Sequence, residues 1–258
     1  MDYRHLSFST TDHITRVILH RPPVNALNQE LVAELIDVAN QCRNDESVWL
    51  IVVTAEGSTF CAGADLKERA GIPENEVINV VIGIQTIVQT WSELPQPVIM
   101  GVNGAALGGG LEFVLSGDIV VAGDKAVFGL PEVSLGIIPA AGGTQRIAQR
   151  STMGVAKKWI LSAHKYSASE AREDGIVDFI VSSDNFASQC ESIVQMVASN
   201  APLALRQAKR AIESYFQEWL HDGFEHELLL YGNLIPTHDR VEALKAFQEK
   251  RKPHWKGS

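Results

Sequence analysis

Short apolar runs separated by helical patterns constrain this chain more than any other feature of its sequence. Ile14–Leu19, Trp49–Thr54, Val98–Val102 and Asp118–Ala122 are five or six residues each and rich in β-branched side chains. Several are apolar at successive positions, as strands covered on both faces are. Between them the period lengthens. Asn28 is placed to cap a helix whose Leu31, Leu35 and Val38 share one face. Val77, Val80, Val81, Ile84, Ile87, Val88 and Trp91 follow i, i+3, i+4, i+7 spacing, which predicts a core-facing helix. Pro95 and Pro97 then force extended backbone ahead of the next run. The pattern predicts an α/β fold.

From about Thr152 strands almost vanish, Val177–Val181 excepted, and helical patterns follow one another. Ala204, Ala208, Ala211, Ile212 and Tyr215 form one stripe. Thr237 to Lys250 forms another, with Asp239 and Glu242 early and Lys250, Arg251 and Lys252 late, as the helix dipole favours. Pro202 and Pro236 stand where helices begin. A soft boundary near residue 198 therefore separates an α/β core, 1–198, from a helical C-terminal region, 199–258.

With 258 residues, 45% of them hydrophobic, the chain can bury roughly 70–75% of its unfolded surface without staples. Its most apolar stretches, Trp49–Ala55 and Val98–Leu111, are too short or too glycine-rich to span the ~20 residues of a bilayer. The net charge of −9 argues against a general nucleic-acid surface, which needs a basic stripe. Cys42, Cys61 and Cys190 are too few for a disulfide scaffold and read as reduced thiols. The N-terminal Met-Asp-Tyr-Arg-His-Leu shows no export or presequence pattern, and the final Lys-Gly-Ser is no peroxisomal address. A cytoplasmic protein is expected.

Several catalytic motifs are excluded by reading. The run Gly104-Ala-Ala-Leu-Gly108-Gly109-Gly110 has the wrong spacing for a dinucleotide fingerprint and lacks the residues that complete a P-loop. No GxSxG or HExxH occurs, and the scattered histidines show no ligand spacing, so no metal is expected. What remains is glycine-rich backbone beside carboxylates. Ser58 to Lys67 and Asn103 to Glu112 each read as strand, small-residue turn, then helix. Two such turns can each offer one N–H to the same oxygen, which is the physical content of an oxyanion hole. From spacing alone the same glycines are also compatible with tight turns or close helix packing and nothing more. Glu112 and Glu132 each lie among apolar neighbours and beside a glycine turn. Burial raises a carboxyl pKa, and two adjacent carboxylates split their titrations into an acid and a base.

At these residues the sequence resembles the enoyl-CoA hydratase/isomerase, or crotonase, superfamily. The segments that carry the resemblance are Arg21–Asn28, Phe60–Asp65, Asn103–Glu112, Phe128–Glu132 and Ile138–Arg146, in order along nearly the whole chain. The resemblance implies the crotonase fold, a spiral of ββα units, with C-terminal helices that build trimers, usually paired into homohexamers. It implies an acyl-CoA thioester as substrate, with coenzyme A part of that substrate and no separate cofactor. The backbone N–H groups of Ala64 and Gly109 would hold the thioester oxygen, and a bulky or φ-restricted residue at Gly109 is the change expected to disturb them. Ala26, Ala62, Asp65, Leu66 and Lys67 match positions near coenzyme A, and Phe247 and Lys250 would reach the coenzyme A of a neighbouring subunit. Glu112 and Glu132, at the family's separation, would be the catalytic pair for syn addition of water to a trans-2-enoyl-CoA. Related isomerases typically keep only one such carboxylate, so two favour hydration.

Three positions depart from the pattern. Leu130 stands where several short-chain hydratases carry Gln, Ala140-Ala141 replaces part of a glycine run, and Cys61 reads as buried filler rather than a nucleophile. Lys67-Glu-Arg-Ala-Gly71 and the tail from Ile235 also resemble methylglutaconyl-CoA hydratases, whose substrate needs a cation near its distal carboxylate. One such relative binds RNA through a lysine-rich helix. The corresponding helix here, Asn28 to Cys42, contains no lysine, so no RNA binding is expected. A catalytically silent acyl-CoA-binding subunit is the remaining alternative.

Overall fold

In the computed structural model, which describes residues 3–213 and 217–256, the chain adds strands to two sheets in alternation. Strands β1 (Leu6–Thr11) and β2 (Ile14–Leu19) form an antiparallel hairpin, and helix α1 (Gln29–Asn44) follows. Next come β3 (Leu50–Ala55), β4 (Thr59–Cys61), α2 (Leu66–Arg69) and α3 (Val77–Ser92), then β5 (Val98–Val102), β6 (Ala105–Leu107) and α4 (Gly109–Val114). After β7 (Ile119–Gly123) and β8 (Val127–Gly129) run α5 (Gly143–Arg150), α6 (Met153–Ser162), β9 (Tyr166–Ser167), α7 (Ala168–Glu173) and β10 (Phe179–Val181). Helices α8 (Phe186–Ala198), α9 (Pro202–Glu213), α10 (Gln217–Leu234) and α11 (His238–Gln248) end the fold.

The larger sheet has the order β1-β2-β3-β5-β7-β10 and the smaller β4-β6-β8-β9. Each of β3–β4, β5–β6 and β7–β8 places one strand in each sheet, one step further along, with parallel neighbours. This is the spiral of ββα units that the resemblance implied. Period-two alternation covers the larger sheet on both sides. Ile51, Val53, Val98 and Met100 join the main core with Phe60, Trp91 and Phe113, while Leu50, Val52, Ile99 and Val121 pack with Cys190 and Val194 of α8. Trp91 anchors the main core: its Nε1–H donates to the Leu35 carbonyl at 3.0 Å, and its ring meets Phe113 edge-on at 5.3 Å.

Two expected strands begin later than their apolar runs because a carboxylate intervenes. Asp118 accepts from the Val98 N–H and holds Lys209, so β7 starts at Ile119. Asp178 accepts from the Val120 N–H and pairs with Arg150, so β10 starts at Phe179. The strand expected from Trp49 begins at Leu50, with Trp49 stacked on His13. β1 was not expected, since as an edge strand it buries little beyond Leu6. Strands β4, β6, β8 and β9, of two or three residues each, carry no periodic signal of their own.

The C-terminal helices dock through polar as well as apolar contacts. Lys209 of α9 is buried and reaches Asp118 at 2.8 Å and the Gln96 carbonyl at 3.1 Å. Phe224 and Tyr231 of α10 are buried against the core. Tyr215 of the predicted stripe lies outside the described residues. The three cysteines are free and buried, and burial pushes the Cys61 thiol up to about 12. Such a thiol is inert filler at neutral pH. Among the described residues no helix is long and apolar enough to cross a membrane.

Candidate active site

The three short parallel strands β4, β6 and β8 end side by side, with Cys61 against Ala106 and Leu107 against Gly129. The segments leaving them are therefore brought together: Ala62-Gly63-Ala64, Gly108-Gly109-Gly110 and Leu130-Pro131-Glu132. Close backbone packing makes the junction. Gly63 has φ +88°, and a Cβ there would stand 2.7 Å from the Leu107 carbonyl oxygen and 3.2 Å from the Gly109 nitrogen. Only glycine meets both requirements at low cost. Gly109 is the first residue of α4, so its N–H has no partner within the helix. Among the described residues neither it nor the Ala64 N–H donates a hydrogen bond.

Ala64 and Gly109 line one cleft with Ala62, Leu66, Val81, Ile84 and Ala140, and Glu112 and Glu132 stand in its wall. Glu112, on the first turn of α4, is 3% exposed, and Glu132, opening a 3₁₀ turn after β8, is 8% exposed. Glu112 Oε1 accepts from the N–H groups of Ala141 and Gly143 at 2.8 Å each. Glu132 lies across Gly108, where a Cβ would be 3.0 Å from its Oε1, and its Oε2 is buried without a partner. Burial, then the nearby charge of Glu132, pushes the Glu112 pKa well above the carboxylate range, against the pull of its two N–H bonds. Burial pushes Glu132 up to about 8. Ionising either carboxyl makes ionising the other harder, so the two lose their protons in separate steps.

The loop beneath Glu112 is fixed from both sides. Its N–H groups alternate: Ala141 and Gly143 donate to Glu112, while Gly142 and Thr144 donate to Glu227 of α10 at 2.7 and 3.0 Å. The Thr144 hydroxyl also bonds Glu227. Gln85 of α3 donates to the Ala140 and Phe224 carbonyls, tying the loop to α10. The helical tail thus holds the loop that holds Glu112.

The structure brings Glu112, Glu132, Ala64, Gly109, Ala62 and Leu66 to one cleft. Asp65 flanks it in another capacity: it caps α2 by accepting from the Lys67 and Glu68 N–H groups and pairs with Arg21 at 2.7 Å. Ala26 supplies its carbonyl to Arg21, Lys67 is exposed, and Phe247 and Lys250 lie exposed at the end of α11. At Gly109 a Cβ would make only contacts of 3.4 Å with Ile84 and Leu27, so a single methyl group fits there. At Gly110 it would stand 2.2 Å from the Cys61 carbonyl oxygen. Gln85, Glu227, Arg69 and Tyr231 were missed. For three of them a signal existed, a polar group on an otherwise apolar helical face: Gln85 between Ile84 and Ile87, and Glu227 with Tyr231 at spacings of three and seven from Phe224.

Residues 9–258 match the family model for enoyl-CoA hydratase/isomerase. The solved enoyl-CoA hydratase from Bacillus anthracis superposes with a TM-score of 0.81 at 41% identity, covering 99% of this chain and 100% of that one. The 2,3-dehydroadipyl-CoA hydratase of Escherichia coli (strain K12) is 37% identical over 98% of both chains. The mitochondrial methylglutaconyl-CoA hydratase of Homo sapiens is 37% identical over 90% of this chain and 70% of its own.

Proposed function

The chain belongs to the enoyl-CoA hydratase/isomerase family, and from that premise we propose that it adds water across the double bond of a trans-2-enoyl-CoA to give a 3-hydroxyacyl-CoA. The observation that carries this reading is the pairing of two buried carboxyls, Glu112 and Glu132, in a cleft that Ala64 and Gly109 also line. The two N–H groups take the thioester oxygen and stabilise the enolate charge that grows as C3 is attacked. Glu112, steadied as carboxylate by Ala141 and Gly143, takes a proton from water as its oxygen bonds C3. Glu132, whose Oε2 has no acceptor or donor in the protein, gives its proton to C2 as the π bond opens.

An isomerase needs one such carboxyl and a silent binding subunit needs neither, so the presence of both supports hydration. The test is product analysis with crotonyl-CoA: 3-hydroxybutyryl-CoA supports the reading, and no turnover of any 2-enoyl-CoA overturns it. The pH profile is a second expected result. Glu132 acts in its protonated form, present below about 8 and lost above it, so kcat should fall as pH rises through that value. On the acid side it should fall where Glu112 takes up a proton, above the ordinary carboxylate range. A flat profile from pH 6 to 10 contradicts the acid assigned to Glu132.

The same reading includes a trimer-based homohexamer. Exposed Leu229, Val241, Phe247 and Trp255 on the C-terminal helices and the segment after them support it, as apolar surface that a neighbouring subunit would cover. Sedimentation should give three or six times the 28.2 kDa of one chain, and a monomer would refute it. A second reading, 3-methylglutaconyl-CoA as substrate, requires a cation in the acyl cleft, and Arg69 supplies one.

A further inference from the structure

We infer that Arg69, with Tyr231 beside it, binds a carboxylate at the far end of the substrate's acyl chain, so that the preferred substrates are short enoyl-CoA thioesters whose acyl group ends in a carboxylate. The inference rests on the hydratase reading and narrows it to a substrate class. Arg69 is the last residue of α2 and lines the same cleft as the two glutamates, next to Leu66 and Leu135. It is 7% exposed, and its Nε and Nη2 are buried with no hydrogen-bond partner. Its guanidinium lies 5.5 Å from the centre of the Tyr231 ring, and the Tyr231 hydroxyl is likewise buried and unpartnered.

Among the described residues no hydrogen-bonded anion balances this charge. No ion pair among the described residues includes Arg69, and the nearest charges that act on it are Arg240, a second cation, and Glu132. Arg240 spends Nη1 on the Ile235 carbonyl and leaves its own Nε buried and unpaired. If Glu132 carries the proton of the pair, the anion left in the cleft is Glu112, whose Oε1 is bonded to the Ala141 and Gly143 N–H groups and not to Arg69. A buried charge without a partner costs several kcal/mol, and a chain keeps one where a ligand supplies the partner. The planar guanidinium matches a carboxylate through two parallel N–H bonds. A hydrocarbon acyl tail would leave all these donors unmet. The phosphates of coenzyme A are common to every thioester, so a guanidinium serving them would not distinguish between acyl tails.

The experiment compares pairs of thioesters that differ in the distal group. Glutaryl-CoA against pentanoyl-CoA and adipyl-CoA against hexanoyl-CoA give binding by calorimetry, and the corresponding 2-enoyl thioesters give kcat/KM. Wild type should favour the carboxylate member of at least one pair by about a hundredfold or more, within the ceiling of about 10⁴–10⁵ by which a built polar site rejects an analogue lacking its partner. Arg69→Met should collapse that ratio to below about fivefold, and Arg69→Lys should restore part of it. Without ligand, Arg69→Met should melt no lower than wild type, since it removes an unmet buried charge. Wild-type ratios below about threefold in both pairs, or a ratio unchanged by Arg69→Met, overturn the inference. Because binding is measured on saturated thioesters, a protein that discriminates but hydrates nothing would sink the hydratase reading alone. One that hydrates both kinds equally would sink the carboxylate site alone.

Discussion

Replacing Glu132 by glutamine should lower kcat for hydration by about 10²–10⁴, the range that a positioned general acid or base contributes. Glutamine keeps the shape and the hydrogen-bonding length but cannot release a proton to C2. Glu112→Gln should cost a similar factor, because the amide cannot take a proton from water and its NH₂ or oxygen must still meet the Ala141 and Gly143 N–H groups. Binding of a saturated acyl-CoA should change little in either variant, since the Ala64 and Gly109 N–H groups are untouched. A variant that keeps more than about a tenth of wild-type kcat ends the acid–base assignment. A stability measurement guards against misreading a misfolded protein. The Glu132 pKa is about 8 in the fold against 4.5 for a free glutamate, so the fold binds that proton more tightly than the unfolded chain does. Its contribution to stability is full below about 4.5 and is lost as pH rises to about 8. Glutamine has no such loss. The melting temperature of Glu132→Gln should therefore overtake that of wild type as pH rises from 5 to 8, and the two should converge near pH 4.

That site was legible in the sequence because its parts are local. Glu112 stands four residues after Gly108 on a helix that starts at a glycine turn, and Ala64 closes a small-residue turn after a short strand. What joins them is not local. The pairing of Thr59–Cys61 with Ala105–Leu107 and Val127–Gly129 involves strands too short to show a period. The two proposed donors could thus be named while the strand pairing that brings their segments together could not. The larger strands were placed within a residue or two, because burial on both faces writes itself into Leu50–Val53 and Val98–Val102 as continuous apolar runs. The helical tail was read as a region apart. Its Glu227 and Tyr231 nevertheless reach the loop and the cleft, across more than eighty residues of sequence. Single polar residues on apolar helix faces were the only trace of that, and they become meaningful once their partners are known.

The glycine turn yields the second large effect, at a position the sequence alone did not single out. Gly110→Ala should lower kcat by about 10²–10³, the loss that follows when one oxyanion donor goes out of place. The added Cβ would stand 2.2 Å from the Cys61 carbonyl oxygen and 2.8 Å from its carbon, both backbone atoms at the end of β4. No side-chain rotation relieves that contact. The first turn of α4 must move away from β4, and with it the Gly109 N–H leaves the Ala64 N–H, three residues beyond the end of β4. Overpacking of this kind also costs about 1–3 kcal/mol of stability, visible as a lower melting temperature. Gly109→Ala provides the comparison. Its Cβ would meet only the flexible ends of Ile84 and Leu27 at 3.4 Å, and its φ is not in the left-handed region. The loss of kcat at Gly109 should therefore be much smaller than at Gly110, although Gly109 owns the donor and Gly110 does not. The decisive measurement is kcat for both variants alongside their affinity for a saturated acyl-CoA. If Gly109→Ala is the more damaging of the two, the donors are not held by the packing of α4 against β4, and the geometry assigned to the oxyanion hole is wrong.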